Sequence, residues 1–467
     1  MRGLHLAELR DSWTAWLGVS VGFVVLNFAL ALSALAEVTG LRALRSGALA
    51  LGDSTALAYT PAFNFVFCLL VGATVVGSST SLVVDSRRGS LARLAMAGAT
   101  PRQVVSTVMS QLVVVSLACS LVGNVLAYLA LQPTLRFLAT ERGSDVAVPT
   151  AVYAGWPALL ANLLAVGLAL LGGYRQARRA SRIPPVEALR QATGGPQQGM
   201  TVPRWLTAGL ALALVVGGYL AIPTLTANRT KETLSNLIQV SLVLLVLTAV
   251  LLSAVAPAVV GPLTRAWTAL VPPLDPSWVL TRSTTVAKGA RLTGSVVPVM
   301  VAIGLLFGLL AIFDTLVSSL AANGYDDRFD HGSLASFLAL LGLPLVVALS
   351  GGVGSLVMMS KQRDAELALS GVLGATPGQR LAMPVMEGVV IAVTGAVLSL
   401  VMVAVAVGFL ALGFPAADFR FGFSPSWLTF LGALGLSIAI TVSATLLPTL
   451  LSLRTPEPRV IARLVAE

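Results

Sequence analysis

Seven amide or acid side chains interrupt otherwise apolar stretches of the sequence: Asn27, Asn64, Gln111, Asn124, Asn162, Gln239 and Glu387. An ionisable group surrounded by hydrocarbon is a candidate for binding substrate or relaying protons. Glu387 is the one acid of the seven, although it lies only a few residues into its apolar run and could snorkel out or pair with Arg380. A second cluster, Asp326, Asp327, Asp330 and His331, has the spacing to hold a cation or a cationic peptide, and equally the composition of a solvated loop. Cys68 and Cys119 both fall inside apolar runs, so neither a disulfide framework nor a cysteine-rich metal site is expected; they read as small buried apolar side chains. None of the three lysines follows a glycine, so the phosphate loop G-x-x-x-x-G-K-[ST] is missing. No nucleophile–base set and no His-rich metal cluster is visible, which disfavours a membrane enzyme.

The elements that carry these groups are membrane spans. Hydrophobic residues make up 56% of the chain and charged residues 11%, with a mean hydropathy of +0.88, outside the range of soluble domains. Apolar runs of about 20 residues recur, long enough to cross roughly 30 Å of hydrocarbon as helix. They are continuous and rich in Leu, Ala and Val, whereas barrel strands would alternate. The expected fold class is an all-α polytopic membrane protein. Its ten spans are placed near 14–36, 61–85, 104–131, 151–173, 205–223, 235–257, 293–313, 334–360, 383–412 and 427–451. The first run is too long for the core of a cleaved signal, so the first span is expected to be retained.

Basic residues set the expected orientation, because they collect in short loops that stay in the cytoplasm. With the amino terminus inside, 22 of the 30 Lys and Arg are cytoplasmic and ten spans return the carboxyl terminus to the same side. The net charge of +10 then follows from topology, and the dispersal of the basic residues among membrane loops argues against nucleic acid as a partner. Arg outnumbers Lys 27 to 3, and Ala and Gly are abundant, which suggests a GC-rich bacterial genome and hence a bacterial cell membrane.

The chain contains an internal repeat. DSRRGSLARLAMAGATPRQV (85–104) aligns without a gap on KQRDAELALSGVLGATPGQR (361–380). The tetrad Gly98, Ala99, Thr100, Pro101 thus meets Gly374, Ala375, Thr376, Pro377, while Arg87 meets Arg363, Leu91 meets Leu367, Gln103 meets Gln379 and Gln111 meets Glu387. Each copy sits between the second and third spans of a four-span unit. Basic, then proline-rich, then helix-prone segments follow both units, at 175–190 and 453–464. Spans five and six have no counterpart. The expected organisation is a first unit over 1–190, a central two-helix insert with linkers over 191–275, and a second unit over 276–467. Because six spans separate the starts of the units, they share one orientation and form a parallel repeat about a pseudo-twofold axis along the membrane normal.

Residues 87–103 are helix-prone up to Gly98, after which Thr100 can cap a new helix whose first turn holds Pro101. The PPVEAL stretch has the same design, with Pro184 and Pro185 before Glu187, which favours the helix dipole, and Arg190 beyond. Both are candidate docking elements, although a basic loop with an amphipathic turn also suits anionic headgroups. Small residues at i, i+4 in the second span of each unit, Gly77 with Ser81 and Gly351 with Ser355, favour close helix packing where the halves meet.

These segments resemble the FtsX-like or MacB-like permeases of ABC transporters, whose hallmark is a basic, Ala/Leu-rich stretch ending in Gly-Ala-Thr-Pro and a nearby Gln between two spans. The 4+2+4 layout is similar to ten-span members, including BceB-like and antimicrobial-export permeases. The resemblance implies that the cytoplasmic helix after the second span of each unit couples to an ATPase subunit. That role would fall on Arg87, Arg88, Leu91, Arg93 and Gly98 through Arg102, and on Arg363, Glu366, Leu367, Gly374, Ala375, Thr376 and Pro377. The first copy has Ser90 where the second has Glu366, so the two contacts need not be alike. Many family members carry a large external domain, but only about twenty residues separate the relevant spans here.

The resemblance therefore implies a non-enzymatic permease subunit with no cofactor of its own, working with two cytoplasmic ATPase chains that bind ATP and Mg. Its substrate would be lipophilic or amphipathic: an antimicrobial peptide, a drug or a lipid. A mechanotransmitting sensory complex and an ATP-independent secondary transporter are the alternatives.

Overall fold

A computed structural model gives the architecture. It describes residues 13–47, 51–86, 91, 94–140, 148–180, 200–227, 231–273, 275–287, 289–324, 334–358, 367 and 369–452. Among these residues the secondary structure is helical and no strand occurs. The first unit contains α1 (Trp13–Arg45), α2 (Leu51–Ser86), α3 (Pro101–Thr140) and α4 (Gly155–Ala180). Next come α5 (Val202–Leu220), the short α6 (Ile222–Thr226) and α7 (Lys231–Ala269). The second unit has α8 (Pro276–Ala287), α9 (Gly289–Ala322), α10 (Leu334–Met358), α11 (Pro377–Ala416) and α12 (Trp427–Ser452). Ten of these are long and apolar enough to cross a membrane. Their outer faces are apolar as well: Leu117, Leu121, Val125 and Leu129 on α3 and Trp205, Leu206, Leu210 and Leu214 on α5 are exposed. Such a surface matches lipid as solvent. The chain is an all-α polytopic membrane protein.

Several helices outrun their hydrocarbon segments. The span expected at 104–131 is the middle of α3, that at 383–412 the middle of α11, and that at 235–257 the first two thirds of α7. A helix continues past its apolar stretch wherever the flanking residues keep their backbone bonds, so hydropathy marks the crossing and not the helix end. Pro257 and Pro262 lie within α7 without ending it.

The repeat is visible in the structure. α1 and α9 begin 276 positions apart, as do α3 and α11, and the same separation divides Gly98 from Gly374. In the first unit α1 packs on α2, α3 and α4, while α4 also packs on α2 and α3; the second unit has the same pairings among α9, α10, α11 and α12. The units meet where α10 lies against α1 and α2, and α9 against α2. At the crossing of α1 and α10, the Gly18 and Gly354 backbones are so close that a Cβ on either would collide with the other's carbonyl oxygen. The insert attaches to the second unit. Ser241 of α7 donates to the Ala406 carbonyl at 3.0 Å, Trp267 Nε1 donates to Thr394 Oγ1 at 3.0 Å, and Tyr219 of α5 donates to the Val405 carbonyl at 2.6 Å.

Candidate functional site

Each repeated tetrad builds a corner between two helices. In the first copy the Gly98 N–H bonds the Ala95 carbonyl at 3.0 Å and the Ala99 N–H bonds the Leu94 carbonyl at 3.1 Å, the paired bonds of a Schellman stop. Gly374 and Ala375 bond Gly371 and Ser370 in the same way, at 3.0 and 2.9 Å. That stop needs a left-handed residue: φ is 93° at Gly98 and 96° at Gly374, and a side chain there would strain the backbone even though open space surrounds both glycines.

The next helix starts within the same four residues. The Gln103 side-chain oxygen accepts the Thr100 N–H at 2.8 Å, while Thr100 Oγ1 accepts the Gln103 N–H at 3.4 Å. Thr376 and Gln379 repeat this capping box at 2.9 and 3.3 Å. Pro101 and Pro377 occupy the first position of α3 and α11, where a missing N–H costs nothing. The motif Gly-Ala-Thr-Pro-x-Gln is thus a complete stop-and-start signal, and it fixes the angle between a short helical segment and a 40-residue helix.

Each short segment is pinned from below. Leu91 and Leu367 are buried at matching positions. Its outer face is apolar and open to solvent, more so in the second copy: Leu369, Val372 and Leu373 are exposed there, Leu373 by 81%, against Met96 in the first. Beside the second corner lies a cavity of about 400 Å³, bordered by Leu373, Gly374, Ala375 and Gln379, by Thr281 and Thr285 of α8, and by Glu387 at its wall. Sequence reasoning did not single out α8. Its signal was present in Asp275-Pro276: the Asp275 carboxylate accepts the Ser277 N–H at 3.0 Å and Pro276 takes the first helical position.

The other expected site residues fall as follows. Arg102 is exposed just after the first tetrad. Arg87, Arg88, Arg93, Arg363, Glu366, Pro184, Pro185, Glu187 and Arg190 lie outside the described residues, as do Asp326, Asp327, Asp330 and His331. Gln111 and Glu387 are both buried, at matching positions within α3 and α11, in separate units. Gly351 packs directly against Val75 of α2, at the junction of the units. Gly77 does not reach that junction. A Cβ on Gly77 would meet nothing within 4 Å, although one on Gly172 of α4 would lie 3.2 Å from the Gly77 Cα, and it is Val75 of α2 that meets α10. Ser355 is buried and bonds its own helix through the Gly352 carbonyl, and the Ser81 side chain is outside the described set.

The two segments that carry the corners are also what comparison with known families picks out. The FtsX-like permease C-terminal domain matches twice, over residues 62–185 and 337–456, together just over half of the chain. The chain belongs to the FtsX-like permease family. Each match runs from the second helix of a unit through its corner to the fourth helix, so both FtsX-like domains include one tetrad. No curated protein matches the chain significantly. As an FtsX-like permease, it is read as a membrane-embedded transport subunit.

Proposed function

We propose that this FtsX-like permease is the transmembrane subunit of an ABC transporter in which one polypeptide supplies both halves. Separate ATPase chains, carrying ATP and Mg, seat on the two corners, and the chain exports or extracts a lipophilic or amphipathic molecule. The observation that carries the reading is the duplicated corner: two helix-stop, helix-start signals of the same geometry at the same end of the molecule, each with exposed apolar side chains beside it. A corner clamped by a Schellman stop and a capping box is stiff, so a push on the short segment is passed to α3 or α11 as a tilt. The basic residues grouped at that end, among them Arg102 and Arg380, support a cytoplasmic position for it in a bacterial cell. The large exposed leucines of the second corner and the exposed Met96 of the first suit two non-equivalent seats.

The test is reconstitution in liposomes with the cognate ABC ATPase. ATPase activity stimulated by the permease, and lost when Leu369 and Leu373 are replaced by Asp, is expected. Flux that continues without ATP, or unaltered ATPase binding by the Asp variant, contradicts the proposal.

A further inference from the structure

The insert has no counterpart in the first unit, and what it covers can be read from the repeat. Away from the corners, a pocket of about 280 Å³ opens between α1, α2, α3 and α10. Its walls are mostly apolar, including Leu32, Ala36, Phe137, Leu343 and the exposed Val346, with Ser33, Asn64 and Thr134 among them. Two of these polar groups are unusual. Asn64 is 4% exposed and spends its amide N–H groups on the carbonyls of Thr60 at 3.1 Å and Ala339 at 2.8 Å, which leaves Oδ1 buried with no partner. Ser33 is 2% exposed, and its Oγ is buried without a partner as well. Buried oxygens without donors are costly in a native protein and call for an explanation. Both residues line the pocket, so a ligand that reaches these oxygens with a hydrogen-bond donor would supply what they lack.

The repeat offers a second copy of this pocket, 276 positions on, between α9, α10, α11 and α2. There Ser33, Asn64 and Thr134 become Leu309, Leu340 and Leu410, while the bulky Leu32 and Phe137 become Gly308 and Gly413. The insert fills the space so created. α7 packs against α9, α11 and α2, and a Cβ built on Gly308 would lie 2.6 Å from Leu245, one on Gly413 2.9 Å from Leu237. One side of the pseudo-twofold is open and carries three polar side chains; the other has leucines in their place and is plugged by two leucines of α7.

We propose that the permease takes its ligand from one face only, through the Ser33–Asn64 pocket, and that the insert exists to close the other. The ligand is an amphiphile with a hydrogen-bond donor, a hydroxyl or ammonium, next to an apolar chain: the donor meets Ser33 Oγ and Asn64 Oδ1, and the chain lies along Leu32, Phe137 and Leu343. The volume suits one chain and not a whole diacyl lipid. This deepens the transport reading and rests on it only for the direction in which the pocket serves.

The test is photolabelling of the full chain in phosphatidylglycerol nanodiscs, with a diazirine-bearing monoacylglycerol in one arm and a diazirine-bearing phosphatidylglycerol in the other, mapped by mass spectrometry. Label is expected on 32–36, 134–138 and 339–346, with little on 308–312 and 410–414. Ser33→Ala removes only an oxygen that makes no bond, so it should lower labelling about fivefold, the worth of one neutral hydrogen bond, without lowering Tm. Gly342→Leu should block the site, and Leu237→Ala with Leu245→Ala should bring label to the plugged face. Ser33-dependent labelling by the monoacylglycerol alone supports the single-chain ligand, whereas equal Ser33-dependent labelling by the phosphatidylglycerol probe overturns it. Equal labelling of the two faces, labelling indifferent to Ser33→Ala and Gly342→Leu, or labelling by neither probe overturns the proposal. No ATPase is present, so failure here leaves the coupling reading standing, and failure of ATPase binding leaves the pocket standing.

Discussion

Replacing Gly374 and Thr376 together by Ala should uncouple the second corner without unfolding the protein. Gly374 sits at φ 96° with open space around it, so Ala there meets no neighbour and the cost is conformational, about 1–2 kcal/mol. Loss of the Thr376 oxygen removes half of the capping box, about 1 kcal/mol. The corner thus loses about 2–3 kcal/mol of restraint, while the buried contacts of α11 with α9 and α12 are untouched. If the ATPase binds only the clamped corner, its affinity falls by the part of this restraint that binding must restore, about thirtyfold to 140-fold at full linkage. Affinity is read by titrating the labelled ATPase onto the permease in nanodiscs. Gly47→Ala is the control: Gly47 has φ 69°, also with open space, but ends α1 at the opposite side of the molecule. It carries the same kind of strain and should leave affinity unchanged. Equal effects of the two variants, or undiminished affinity in the double variant, would refute the reasoning.

Other outcomes follow from packing. Gly354→Ala places a Cβ on the Gly18 carbonyl and should destabilise the junction by about 1–3 kcal/mol, whereas Gly352→Ala meets Pro298 and Val299 at 3.7 and 3.8 Å and should be neutral; thermal unfolding in detergent compares them. Thr394→Val keeps its shape but leaves the Trp267 indole N–H without its acceptor, costing about 1–3 kcal/mol, and should speed proteolysis between α7 and α8. Asn162→Leu strands the Asn27 amide, which now donates to Asn162 at 2.7 Å, and should lower stability by about 1 kcal/mol; a larger loss than Asn27→Leu is not expected, since the two share one bond. Leu373→Ser should weaken ATPase binding more than Met96→Ser, as Leu373 offers the larger open apolar surface.

Much of this was legible in the sequence, for physical reasons. Apolar runs of span length have one stable conformation in lipid, so the ten crossings followed from composition. Thr100 and Pro101 announced a helix start through their own chemistry, and the gap-free match of the two tetrads fixed their kinship. The capping partner Gln103 is also legible, since T-x-x-Q is a capping box, and Gln379 repeats it at the matching position. What stayed hidden depends on neighbours distant in sequence. Gly77 and Gly351 look alike along the chain, yet a Cβ on Gly77 of α2 would meet open space while one on Gly351 of α10 would meet Val75 at the junction. Ser33, Asn64 and Thr134 are unremarkable singly and become a site only when four helices meet, and the part played by Leu237 and Leu245 needs the pseudo-twofold to be seen in space.

The central claim, that both corners receive an ATPase, is tested most directly by photo-crosslinking from positions 96 and 373, with position 47 as control, in the permease bound to its cognate ATPase. The account predicts ATPase adducts from both corner positions and none from position 47. Adducts from neither corner, or as many from position 47, would contradict it.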